Sequence, residues 1–107
     1  DNITIIVPNS RFITETVVNW QYEDKTVRFR IPVAVAYGSD AHKVRELLKE
    51  VARENPDVLE SPEPNVRLME FGDNGLVFEL RVWSSSSVHR RGRLLSSINF
   101  AVYDKFN

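Results

Sequence analysis

The chain has 107 residues, enough for one domain, and hydrophobic residues make up 42% of it, so it can bury a core. Its 14 lysines and arginines against 15 aspartates and glutamates give a net charge of −1, which argues against a nucleic-acid-binding module. The sequence contains no cysteine, which excludes disulfides and thiolate metal sites, and no apolar run approaches the roughly 20 residues that span a bilayer.

The first 26 residues contain two stretches rich in strand-forming residues, 3–7 and 16–22. Two strands alone are marginal in water, so we expect this segment to pack against other segments or other chains. The sequence shows no signal peptide and begins without Met inside a strand-like stretch, which indicates a piece of a longer protein.

Residues 27–37 form the stretch around which the rest is organised, because apolar residues occupy every second position. Alternation sends side chains to opposite faces of a strand. One face carries Val27, Phe29, Ile31, Val33, Val35 and Tyr37, and the other carries Arg28, Arg30, Pro32, Ala34 and Ala36. The strand then ends, because Gly38 permits a turn and Ser39 or Asp40 can cap a helix.

A helix is predicted over residues 40–55, where apolar residues recur at intervals of three and four. Its apolar stripe consists of Ala41, Val44, Leu47, Leu48, Val51 and Ala52. Pro56 ends this helix, since proline disfavours helical geometry in the residue before it. Residues 56–64 contain three prolines and predict a surface loop.

A hairpin follows, with strands at 66–71 and 76–83 around the sequence Gly-Asp-Asn-Gly, whose Asn-Gly pair suits a tight turn. Its second strand sends Leu76, Phe78, Leu80 and Val82 inward and Glu79 and Arg81 outward.

The last segment, 88–107, is predicted to be helical, although Ile98, Phe100 and Val102 also alternate as in a strand. The predicted helical stripe consists of Leu94, Leu95, Ile98, Ala101, Val102 and Phe106. The fold class is therefore α+β, a ferredoxin-like βαββα arrangement whose final strand is missing. The missing strand predicts an unpaired sheet edge, open to another chain.

Few residues of the sequence indicate a catalytic or metal-binding site. His42 and His89 have no ligand partner at metal-binding spacing, so two solvated histidines are the simpler interpretation and no metal or cofactor is expected. Asp40, Glu70 and Asp73 are carboxylates that could pair for acid–base catalysis. Asp40 is better explained as a helix cap, and Asp73 as a turn residue. We expect no catalytic residue and no enzyme.

Residues 89–93, His-Arg-Arg-Gly-Arg, form the one dense basic cluster. Arg90, Arg91 and Arg93 can hold an anion or a carboxylate of a neighbouring subunit, or they can be solvated at a helix entrance. Trp20 and Trp83 lie at strand ends and are better explained as core or interface anchors than as a base-stacking platform. These five residues are our candidates for a subunit interface or a portal.

Several stretches, in order along the chain, resemble the small-conductance mechanosensitive channel family. They are 5–10 (IIVPNS), 18–20 (VNW), 31–40 (IPVAVAYGSD), 71–73 (FGD), 78–83 (FELRVW), Arg93 and 98–103 (INFAVY). The resemblance implies that residues 1–26 are the end of the family's middle β domain. It also implies that residues 27–107 are most of its carboxy-terminal cytosolic α/β domain.

The resemblance further implies a channel of the bacterial inner membrane that opens under tension and releases solutes in hypo-osmotic shock. In that family the cytosolic domains form a homoheptameric cage below the pore, through which ions and small solutes pass. This chain would then be a stiff wall segment on the cytoplasmic side. The alternative from the residues alone is a ferredoxin-like regulatory domain that binds a small ligand in a convergent polar pocket.

Overall fold

A computed structural model describes residues 4–6, 13–19, 24–85 and 91–106. These residues form an α+β fold of five strands and two helices. The elements in order are β1 (Ile5–Ile6), β2 (Ile13–Asn19), β3 (Asp24–Ala36), α1 (Ala41–Arg53), β4 (Asn65–Phe71), β5 (Gly75–Ser85) and α2 (Arg91–Phe106). The predicted elements from residue 27 onward are all present, and the ferredoxin-like βαββα order is confirmed.

The long strand β3 is the centre of a five-stranded antiparallel sheet in the order β1-β3-β5-β4, with β2 also paired to β3. β3 pairs with the whole of β5, from Thr26 opposite Ser85 to Ala36 opposite Gly75. This register places the alternating apolar residues of both strands on one face. Each β3 residue of that set from Val27 to Val35 is buried, as the alternation predicts.

Both helices cover this apolar face and close the core. α1 buries Val44, Leu48, Val51 and Ala52, four members of the predicted stripe. α2 buries Leu94, Ile98, Val102 and Phe106, with Leu95 and Ala101 packed at the margin. Asp40 is the N-cap of α1. Its carboxylate accepts a hydrogen bond from the Lys43 backbone N–H at 3.1 Å, which satisfies one of the free donors of the first turn.

The two N-terminal strands fill the edge of β3 that faces away from β5. β2 pairs with the first half of β3, from Asn19 opposite Asp24 to Ile13 opposite Arg30. β1 pairs near the other end, with Ile5 opposite Val35. The prediction of an unpaired sheet edge is therefore wrong at β3, because the strands that precede it occupy the place of the missing strand. The boundary at residues 26 and 27 stays a prediction.

Tyr37 does not share the buried face of β3, and its assignment to that face was wrong. The strand ends at Ala36, and Gly38 follows with φ of 92°, so the chain turns before Tyr37 can continue the alternation. Tyr37 is 51% exposed. Its hydroxyl donates to the Gly72 carbonyl, which joins the end of β3 to the β4–β5 turn.

β4 forms the other edge of the sheet, and its register with β5 shifts between Leu68 and Glu70 as in a β-bulge. Val66 is buried in this strand, whereas all five residues from Arg67 to Phe71 are exposed. The loop at 56–64 is largely at the surface, as predicted, except that Pro64 is buried against the domain.

Candidate functional site

A network of five charged side chains crosses the sheet face opposite the helices and joins β2, β3 and β5. We call it the sheet-face network, and its members are Glu15, Arg28, Arg30, Glu79 and Arg81. Arg30 binds Glu79 through two hydrogen bonds, Nε to Oε1 at 2.9 Å and Nη2 to Oε2 at 3.2 Å. Arg81 donates its Nε to the same Oε1 at 2.6 Å. Glu79 is therefore the acceptor on which two guanidinium groups converge.

Glu15 extends the network to the N-terminal strand β2. Arg28 donates to both of its carboxylate oxygens, Nε to Oε1 at 3.3 Å and Nη2 to Oε2 at 3.0 Å. Arg30 also lies 3.6 Å from Oε1 of Glu15 through its Nη1. Such paired, planar contacts between arginine and carboxylate are among the stronger ion pairs in proteins. The network thus adds a side-chain connection between β2 and the rest of the domain.

Contacts within the network shift the pKa values of Glu79, Glu15 and Arg30 in the expected directions. The hydrogen bonds from Arg30, followed by those from Arg81, lower the pKa of Glu79 in spite of partial burial. The hydrogen bonds from Arg28 likewise lower the pKa of Glu15. The Glu79 carboxylate in turn raises the pKa of Arg30. Glu15 and Glu79 therefore stay negatively charged at neutral pH, and their contacts with the arginines persist there.

Trp83, a predicted interface anchor, lies in register with Arg28 on β5 and is half-buried. Its carbonyl accepts a hydrogen bond from the Leu59 backbone N–H at 2.8 Å, which holds the loop after α1 against the sheet. Trp20, the other predicted anchor, lies outside the described residues. A role for either tryptophan between subunits stays a prediction.

The predicted basic cluster is only partly within the described residues. His89, Arg90 and the side chain of Arg91 lie outside them, and Arg93 is exposed in the first turn of α2. Their assignment to a subunit interface or portal is untested by the fold.

His42 is exposed on α1, Asp40 is the cap, and Asp73 is exposed in the hairpin turn. Within the described ranges, no three His, Asp or Glu side chains converge on a point that could hold a metal ion.

The helices carry a second set of polar contacts at their ends. Lys105 of α2 donates to Glu50 and to Glu54 of α1, each at 3.2 Å. Glu54, and then Glu50, raise the pKa of the Lys105 ammonium. The Asn55 amide donates to the Ser97 hydroxyl at 2.9 Å. These contacts fix the two helices against each other on the solvent side of the core.

Two surfaces leave large apolar side chains exposed. The β4 surface comprises Leu68, Met69 and Phe71, which are 42%, 47% and 77% exposed. The α2 surface comprises Phe100 and Tyr103, 69% and 63% exposed, together with the neighbouring groove residues Gly92, Leu95, Ser96 and Asn99. Neither surface was predicted from periodicity, since the predicted stripes marked only the faces that enter the core.

Among the described residues, one cleft lies on the α2 surface and another lies at the end of α1. An open, mainly apolar groove of about 490 Å³ runs along the α2 surface. A smaller cleft of about 290 Å³ lies between the end of α1 and the following loop and includes Arg53, Glu60 and Glu63. No helix among the described residues combines the length and apolarity that crossing a membrane requires.

Comparison with known families matches residues 29–107 to the family model described as mechanosensitive ion channel MscS, C-terminal. The mechanosensitive channel MscK of Escherichia coli is 43% identical over 83 residues, which are 78% of this chain and 7% of that protein. The miniconductance mechanosensitive channel MscM of the same organism is 33% identical over 90 residues, 84% of this chain and 8% of that protein.

A shorter relative matches as well. The small-conductance mechanosensitive channel of Edwardsiella ictaluri is 33% identical over 87 residues, which are 81% of this chain and 30% of that protein. The chain thus spans less than a tenth of the length of MscK and MscM, and under a third of this shorter channel.

The fold and its surfaces define a ferredoxin-like α+β module of the kind found as the C-terminal domain of ion channels. The family match covers most of the chain. It includes all of the βαββα unit except the first residues of β3. The chain belongs to the MscS family of mechanosensitive ion channels, and the resemblance found in the sequence is confirmed.

Proposed function

We propose that this chain is a wall segment in the cytosolic part of a tension-gated channel that releases ions and small solutes during hypo-osmotic shock. The observation that carries the proposal is the match of residues 29–107 to the C-terminal domain of the MscS family. The relatives that share this domain are named as mechanosensitive channels. In this proposal the chain performs no reaction and needs no cofactor.

The described structure suits a mechanical part. β3 is one continuous strand of 13 residues that pairs with β1 and β2 on one side and with β5 on the other. A core of buried side chains locks both helices onto this sheet. The sheet-face network adds ion pairs on the opposite face. A unit built in this way can transmit displacement of its N-terminal strands to the whole domain without internal deformation.

Residues 1–26 are proposed to be the end of the family's middle β domain, which leads from the membrane portion to the cage. In support of this, β2 is held to β3 both by backbone pairing and by Glu15. The parent channel is proposed to be a homoheptamer in the bacterial inner membrane, with this segment on the cytoplasmic side.

The proposal can be tested in bacteria that lack their own mechanosensitive channels. The full-length protein containing this chain is expressed, the cells are transferred from high to low osmolarity, and surviving colonies are counted. We expect survival to rise at least tenfold above cells with an empty vector. The oligomer extracted from the membrane is then weighed by native mass spectrometry, with seven copies expected.

A matched pair of variants assigns the effect to this domain. Leu80→Asp places a charge at a fully buried position of β5 and is expected to abolish both assembly and survival. Glu46→Gln changes an exposed side chain on α1 and is expected to leave both unchanged. Survival equal to the empty vector for the well-expressed natural protein would contradict the proposed function.

A further inference from the structure

We propose that the smaller cleft, at the carboxy-terminal end of α1, binds a compact zwitterion, a small molecule that carries a carboxylate and an ammonium group on an apolar body. We call it the α1 cleft. Residues from the last turn of α1 and from the loop between 58 and 64 line it, and its volume is about 290 Å³. The inference goes beyond the proposed function, because neither a wall segment nor the passage of ions requires a small-molecule site.

Charges of both signs line the α1 cleft without neutralising one another. Arg53 comes from α1, whereas Glu60 and Glu63 come from the loop, and all three residues are exposed. Within the part of the chain that the structure describes, none of these three side chains forms an ion pair or a hydrogen bond. Glu54, the neighbour of Arg53, instead pairs with Lys105 at 3.2 Å. A ligand that carries both charges therefore finds partners that the domain itself leaves open.

The floor of the α1 cleft is apolar. Ala52 and Pro64 are buried, Leu59 is half-buried, and Val58 packs against the core. Binding sites for small molecules combine such an apolar lining with a few charged groups that fix the orientation of the ligand. The cleft volume of about 290 Å³ lies near the lower limit for such sites, so the ligand has the size of a single amino acid.

The loop that forms one wall of the cleft is held in place by hydrogen bonds. The backbone N–H of Val58 donates to the Asn55 carbonyl at 3.1 Å, and that of Asp57 donates to Oδ1 of Asn55 at 2.9 Å. The backbone N–H of Leu59 donates to the Trp83 carbonyl at 2.8 Å, which ties the loop to the sheet. The cleft is therefore formed before a ligand arrives, and binding costs little ordering of the backbone.

The mixture of charges selects the class of ligand. A simple anion would be attracted by Arg53 but repelled by Glu60 and Glu63, and a simple cation would meet the reverse. A zwitterion forms charge-assisted hydrogen bonds with both signs, its carboxylate with the guanidinium and its ammonium with a carboxylate. Because solvent screens these exposed groups, we expect a dissociation constant of about 1–10 mM.

Saturation-transfer difference NMR on the purified full-length protein tests the site, with L-proline as the probe. Two analogues with the same five-membered ring serve as matched ligands: pyrrolidine lacks the carboxylate, and cyclopentanecarboxylate lacks the ammonium. We expect a saturable proline signal in the low millimolar range, and we expect each analogue to bind roughly fivefold more weakly or worse.

Variants of the lining residues assign the signal to the α1 cleft. Arg53→Gln and the double variant Glu60→Gln with Glu63→Gln are each expected to weaken proline binding roughly fivefold or more. Glu46→Gln is the control, since Glu46 is exposed on the same helix and does not line the cleft, and it should leave the affinity unchanged. Native mass spectrometry verifies that every variant keeps the assembly of the natural protein.

Equal affinities for proline and for cyclopentanecarboxylate or pyrrolidine would overturn the inference, because one charge would then suffice. Equal proline affinities of the natural protein and both cleft variants would overturn it as well. The same holds if no saturable proline signal appears up to about 50 mM. None of these results would touch the proposed function, because survival of osmotic shock is measured without the ligand.

Discussion

Replacing Glu79 by glutamine tests the sheet-face network at its central acceptor. The substitution keeps the size of the side chain but removes the negative charge on which Arg30 and Arg81 converge, at 2.9 Å and 2.6 Å. The Glu79 side chain is only 12% exposed, and its partners Arg30 and Arg81 are 26% and 18% exposed. Solvent therefore screens these pairs only in part.

The expected loss of unfolding free energy follows from these contacts. A hydrogen bond to a charged partner contributes about 1.5–3 kcal/mol, and a single surface ion pair contributes at most about 1 kcal/mol. The partly buried network lies between these cases, so we expect Glu79→Gln to cost about 2 kcal/mol at pH 7. With a urea slope of about 1.5 kcal/mol per M, the unfolding midpoint falls by about 1.3 M.

The pH dependence of this loss has a definite sign. The arginines lower the pKa of Glu79 in the folded state below that of the unfolded chain, which is about 4.3. The stabilisation by its charge is therefore complete well above pH 4.3 and is lost as the pH falls through the lowered folded value. The difference between natural protein and Glu79→Gln should shrink when the urea titration is repeated at decreasing pH below about 4.

Glu46→Gln is the matched control for this experiment. Glu46 pairs with Arg45 at 3.4 Å and Lys49 at 3.7 Å, but its side chain is 57% exposed. We expect a change of less than about 0.5 kcal/mol. A Glu79→Gln midpoint equal to that of the control at pH 7 would refute the reasoning, as would a difference that persists unchanged at acidic pH.

Three further substitutions test the fold at separate points, each by urea unfolding. Leu48→Ala removes a fully buried side chain of α1 and should cost about 2–5 kcal/mol; a loss below 1 kcal/mol would contradict its place in the core. Asp40→Ala removes the cap of α1 and should cost about 1 kcal/mol, while Asp40→Asn should retain most of the stability; equal losses would argue against capping. Gly38→Ala should destabilise by about 1 kcal/mol because its φ is 92°, although no atom would meet the added methyl group. Gly92→Ala, whose added methyl group meets no atom of the described residues, serves as its comparison and should be neutral or slightly stabilising; the opposite order of these two glycine variants would refute the backbone argument.

The sequence predicted the core well because the core depends on local periodicity. Alternation in β3 and intervals of three and four in the helices follow from backbone geometry alone, so Phe29, Leu48 and Ile98 could be assigned to the interior. The same logic failed at Tyr37, where a positive φ at the next residue ended the strand one position earlier. Alternation gives no signal for where a strand stops.

The sheet-face network could be predicted only in part. Arg28, Arg30, Glu79 and Arg81 were assigned to outward faces, but their contacts depend on the register between strands far apart in sequence. Glu15 joins them only because β2 pairs with β3, and no partner for β2 could be predicted from local patterns. The β4 and α2 surfaces were missed for a related reason, since exposure at an edge depends on which elements cover it.

Single-channel recording from membrane patches tests the central claim most directly. The full-length protein is expressed in cells without other mechanosensitive channels, and suction is applied to excised patches at fixed voltage. The account predicts discrete currents that appear above a threshold of membrane tension and vanish when suction is released. Patches that contain the protein, verified by immunoblot, yet stay silent up to rupture would contradict it.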